Sequence, residues 1–87
     1  MKNAVTRDDV SDIVYVRLRE GRIAATKAFG DDRLVDVDAD GAVLGVEFIG
    51  IGNQLDLRGL PAQADLLFVV EEQVPSCFEV LTDLAGP

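Results

Sequence analysis

The chain of 87 residues has no histidine and one cysteine, Cys77. An intramolecular disulfide is therefore impossible, and a histidine-ligated metal or a histidine-based nucleophile relay is excluded. Cys77 stands in an apolar stretch with no base beside it, which predicts a buried structural thiol without a chemical role. Positive charge is also scarce: eight Lys and Arg stand against sixteen Asp and Glu, for a net charge of −8. No basic run exists, so a phosphate backbone is repelled and no nucleic-acid binding is expected. No apolar run approaches the ~20 residues that span a bilayer, and residues 1–7 lack the apolar core of a signal peptide. The expected location is the cytoplasm, away from membranes. Prolines number only three, and 48% hydrophobic with 28% charged residues is ordinary globular composition that argues against disorder.

What is present fits one small domain covering residues 1–87. A chain this short buries roughly 60–65% of its unfolded surface, so a thin core and a working surface are expected rather than a deep cleft. Residues 1–11 are polar and without clear periodicity, which predicts a mobile lead-in. Beyond them, β-branched and aromatic runs alternate with Gly and Asp turn formers. Strands are expected at about 13–19, 22–29, 33–38 and 42–49, with turns at Glu20 and Gly21, at residues 30–32, and at Asp40 and Gly41. Connections this short imply sequential antiparallel pairing, a four-stranded meander. With Asp40 and Gly41 central in a type I′ turn, Val37 faces Leu44, Val35 faces Val46 and Arg33 faces Phe48. In the first hairpin Val14, Val16 and Leu18 pair with Ile23 and Ala25. One sheet face is then apolar, and the other carries Tyr15, Arg17, Asp36, Asp38 and Glu47.

A layer must cover the apolar face. Pro61 in a first turn, and Leu60, Ala64, Leu67, Val70 and Val74 at helical spacing, predict a C-terminal helix over about 61–73 that Pro75 ends. The apolar run 66–70 also suits a buried strand, and periodicity alone does not separate the two. Residues 78–81 suit a short fifth strand, and 83–87 a tail. The fold class is α+β.

Residues 36–47 also fit a calcium-loop pattern, with Asp36, Asp38 and Asp40 at places one, three and five, Gly41 at six and Glu47 at twelve. Such a loop needs a helix on each side, yet Gly30 precedes it and Gly45, Gly50 and Gly52 follow, each costing a helix about 1 kcal/mol relative to alanine. The alternation has period two, so a hairpin is the expected structure and no metal site is assigned. The alternative is a small-molecule or cation-binding domain that uses Asp36, Asp38, Asp40 and Glu47. No Gly-rich turn leads into the lysine and hydroxyl of a phosphate loop, and no cofactor is expected.

Two stretches together resemble a family of small bacterial proteins classed only as a domain of unknown function. Asp12, Tyr15 and Leu18 match its Asp-x-x-Tyr-(Ile/Val)-x-Leu strand. The stretch from Val35 to Phe48 resembles its Val-x-Asp-x-Asp-x-x-Gly-x-(Val/Ile)-x-Gly-(Ile/Val)-Glu hairpin, through Asp36, Asp38, Gly41, Val43, Gly45, Val46 and Glu47. The likeness covers about residues 12–50, and the remainder resembles longer members that run through a Leu-Pro segment into a helix. It implies no catalytic residues. Some relatives are encoded beside small RNase-like toxins, which implies an antitoxin or partner-binding role.

The expected function is thus a non-enzymatic protein-interaction module, antitoxin-like or scaffolding, for a basic protein. Its expected binding residues are Tyr15, Arg17, Asp36 and Asp38. A thin core, open sheet edges and surplus apolar area at Leu66, Phe68 and Val69 lead to a further expectation of homodimerisation.

Overall fold

The computed structural model describes residues 4–74 and 78–84. Cys77, expected as a buried thiol, and Pro75, expected to end the helix, lie outside the described residues. The class is α+β: five strands form an antiparallel sheet, and one helix follows in the C-terminal part. In chain order the sheet strands are β1 (Ala4–Asp8), β2 (Ile13–Arg17), β3 (Ala25–Ala28), β4 (Arg33–Val37) and β5 (Val43–Ile49). The stretch read as a lead-in thus supplies β1, which pairs with β2 from Ala4 opposite Arg17 to Asp8 opposite Ile13.

The spatial order β1-β2-β5-β4-β3 replaces the expected meander. Val14 lies opposite Phe48 and Val16 opposite Val46, so β2 pairs with β5 and not with Ile23 and Ala25. The cause is burial. β5 is buried along most of its length, whereas all four residues of β3 are exposed. The most apolar strand therefore takes the centre between valine-rich β2 and β4, and the Ala, Thr and Lys side chains of β3 go to an edge where little burial is lost. Residues 18–24 cross the end of the sheet to reach that edge, the long connection of a Greek key. Leu18 N–H and Arg19 N–H donate to Leu44 O (2.8 and 3.3 Å), and Ala24 N–H donates to Val37 O (2.8 Å). Gly21 belongs to this crossing instead of a hairpin turn. A Cβ there would stand 2.9 Å from Leu44 Cδ2, so glycine answers a need for space.

The β4–β5 hairpin forms with Arg33 opposite Phe48 and Val35 opposite Val46, as expected. Its turn differs from the type I′ expectation. Gly41 N–H donates to Asp38 O and Asp38 N–H donates to Ala42 O (both 3.0 Å), which puts Ala39 and Asp40 at the centre and Gly41 third, at φ 85°. Asp38 Oδ1 accepts the N–H groups of Asp40 and Ala42 (both 2.9 Å), and this local bonding selects the longer loop. The register slips by one, so that Val37 faces Val43. Val43 joins the core cluster in place of Leu44, whose side chain packs toward Gly21.

The second layer is β6 (Gln54–Asp56), α1 (Gln63–Gln73) and β7 (Glu79–Leu81). β7 is the short strand expected at 78–81. It pairs in parallel with β6 as a separate two-stranded sheet, with α1 as the crossover. Helix α1 resolves the ambiguity of the run 66–70, and it turns Leu66, Val69 and Val70 into the core while leaving Phe68 exposed. Of the residues expected as surplus apolar surface, only Phe68 remains on it. The core joins Val14, Val16, Val35, Val37, Val43, Val46 and Phe48 of the sheet to Leu55, Leu57, Leu60 and the three helix residues.

Polar ties fix the layers. Arg33 donates to the carbonyls of Asp56 (3.0 Å) and Arg58. Asp12 takes φ 55°, accepts Gly50 N–H at its carbonyl (2.8 Å) and Gly52 N–H at Oδ2 (2.9 Å), and so directs the chain as it leaves β5. Asp83, expected in a tail, accepts from Gly59 N–H (2.7 Å) and Gln63 Nε2 (2.9 Å). Those bonds, the Gln63 one foremost, hold its carboxyl below the usual carboxylate range.

Candidate functional site

The sheet face opposite the helix is the candidate site. Its residues follow from the register: Arg17, Gly45, Asp36 and Thr26 form one row across β2, β5, β4 and β3, and Tyr15 and Glu47 lie in the next. Glycine at 45 leaves a gap in the middle of the first row. The Tyr15 side chain fills it, since a Cβ on Gly45 would lie 2.3 Å from the Tyr15 hydroxyl oxygen. Across that gap Tyr15 Oη donates to Asp36 Oδ2 (2.9 Å), and Thr26 Oγ1 donates to Asp36 Oδ1 (2.6 Å). Three strands, β2, β4 and β3, are tied by one line of side chains that passes over Gly45 of β5.

Burial, together with the hydrogen bond and charge of Asp36, pushes the Tyr15 phenol up to about 12; Glu47 adds to this and Arg17 opposes it. Tyr15 therefore stays a protonated donor at any physiological pH. Beside it, Arg17, Arg19, Ile23 and Leu44 complete a hollow of about 420 Å³ with Tyr15 and Asp36. The Nε of Arg17 is shut off from solvent and has no hydrogen-bond partner among the described residues. An unmet buried donor costs about 1–3 kcal/mol, and such groups need a reason.

The four residues singled out from sequence thus separate. Tyr15, Arg17 and Asp36 come together on the open face, as alternation placed them. Asp38 is drawn into the turn, where its carboxylate caps two amides. Asp40 sits at the exposed turn centre, and the carboxylate of Asp36 is already held by Tyr15 and Thr26. The acids of the calcium-loop pattern do not converge, and among the described residues no group of three or more acids or thiols is placed to hold a metal. Sequence reasoning missed Thr26 and Gly45. Gly45 carried a signal: a glycine inside a strand pattern marks the close approach of another group.

A family model described as "Protein of unknown function (DUF2283)" matches residues 5–51, more than half of the chain. The chain belongs to the DUF2283 family. The matched span runs from β1 through the end of β5, so the DUF2283 unit is the five-stranded sheet and includes the Tyr15, Asp36 and Gly45 cluster. The helix and the β6–β7 pair lie beyond it. No curated protein and no solved structure matches the chain significantly. No helix among the described residues is long and apolar enough to cross a membrane.

Proposed function

We propose that this DUF2283 chain is a non-enzymatic, cytoplasmic protein-interaction module whose contact surface is the open sheet face carrying Tyr15, Arg17 and Asp36. The observation that supports it most is the Arg17 Nε, a donor without an acceptor among the described residues, at the wall of the hollow on this face. A docked partner supplies that acceptor after a small rotation of the guanidinium, and the tied Tyr15, Asp36 and Thr26 cluster presents a surface that needs little ordering on binding. The partner is a basic protein. A net charge of −8 attracts it at long range, and Glu47 beside the cluster meets its cations at the surface. An antitoxin-like or scaffolding role is of this kind.

The test is affinity purification from cells of the source organism with the wild-type chain and with Arg17→Ala, at low and at high salt. A basic protein retained by the wild type, released by salt and lost with Arg17→Ala is expected. Retention of the same proteins by both chains would remove the face from the reading.

A further inference from the structure

The sheet has two edges, and they differ. At β1 the helix lies alongside, and the N–H of Val5 is capped by Gln73 Oε1 (3.0 Å). No described residue covers β3, and residues 21–28 are exposed without interruption. An open edge is a template for another strand unless proline, charge or a bulge blunts it. β3 has the sequence Ala-Thr-Lys-Ala, with one charge and no proline. It also lies in residues 21–30, the longest acid-free stretch of a strongly acidic chain. Two such molecules meet with least repulsion there.

The backbone sets how a strand can add. Phe29 N–H donates to Arg33 O (2.9 Å), so by antiparallel alternation Lys27 and Ala25 bond inward to β4. The main-chain groups of Thr26 and Ala28 then point outward. A two-fold pairing that uses them puts Thr26 opposite Thr26 of a second copy, and Lys27 opposite Ala25 of that copy on the core side. This register avoids lysine facing lysine. It also brings the start of one copy's β3, preceded by Arg22, toward the end of the other's, followed by Asp31 and Asp32. The edge is complementary to itself in charge as well as in hydrogen bonding. On the core side, a groove beside β3 lined by Lys27, Phe29, Val35 and Val37 receives the stem of the incoming Lys27.

We infer that the chain forms a two-fold homodimer through antiparallel β3–β3 pairing centred on Thr26, which makes one continuous ten-stranded sheet. The inference goes beyond the partner-binding reading and does not depend on it, because the sheet face and the β3 edge are different surfaces. Sedimentation of the pure protein at tens of micromolar is expected to give twice the 9.4 kDa of one chain. Ala25→Glu, placed opposite Lys27 of the second copy, is expected to tighten the dimer on the order of tenfold, and Ala25→Lys to weaken it similarly. Ala25 is exposed, and circular dichroism checks that both variants fold. If either does not, slowing of Thr26 and Ala28 amide exchange with rising wild-type concentration is the expected result. A monomer at tens of micromolar, amide exchange that ignores concentration, or a dimer that ignores both Ala25 substitutions overturns the inference.

Discussion

At the residue scale the chain offers an unusually clean probe, because Tyr15 is its single tyrosine. Absorbance titration of the phenol is expected to show a midpoint near 12 rather than the ordinary 10, and Asp36→Asn is expected to bring it down. The sign for stability follows. Between those two values the unfolded chain has lost a proton that the folded chain keeps, so the Tyr15 contribution is whole below pH 10 and is lost as pH rises through about 12. Gly45→Ala inserts a methyl group into the space occupied by the Tyr15 hydroxyl and cannot be accommodated without moving it. The expected cost in denaturant melts is about 1–3 kcal/mol, the usual range for overpacking. The Tyr15 midpoint should fall in the same variant, and an unchanged midpoint would show that the ring does not lie over Gly45.

At the scale of elements, the β4–β5 turn separates backbone demand from side-chain capping. Gly41 sits at φ 85°, where a β-branched residue is strained, so Gly41→Val is expected to cost more than about 1 kcal/mol. Asp38 carries a different part of the same turn. Asp38→Ala removes the acceptor for two amides and is expected to cost roughly 1–2 kcal/mol, while Asp38→Asn keeps one amide oxygen and costs less. Thermal melts of the three variants check the order. A neutral Asp38→Ala would place the aspartate in solvent, as simple strand alternation suggests, and would undo the three-residue turn.

At the scale of the molecule, the DUF2283 sheet and the C-terminal layer are mutually dependent. Leu55, Leu57, Leu60, Leu66, Val69 and Val70 supply six of the thirteen residues in the core cluster, all of them after Asn53. At about 1.5–3 kcal/mol for each buried side chain, their loss removes on the order of 10 kcal/mol, comparable with the whole stability of a small domain. A chain ended at Asn53 is therefore expected to melt without a cooperative transition in circular dichroism. A sharp melt from that fragment would mean that the sheet alone holds the fold.

The amino-acid pattern by itself determined the strands β2 to β5 and β7 to within a few residues, the hairpin in place of a calcium loop, and the shared face of Tyr15, Arg17 and Asp36; it pointed to the helix without excluding a strand at 66–70, and it gave no sign of β6. These are local matters: period-two alternation, glycine where φ is positive, and helical spacing act over a few residues. Only the tertiary structure decided which strands are neighbours. Short loops favour a meander, but burial of β5 on both flanks outweighed loop length and sent residues 18–24 across the sheet. Strand β1 was illegible because Val5 and Arg7 share one face, so the stretch has no apolar alternation, and its place shows only once β2 and α1 lie beside it. The role of Asp38 was hidden for a related reason. Alternation assigned it to the open face, and two backbone amides of the folded turn claimed its carboxylate first.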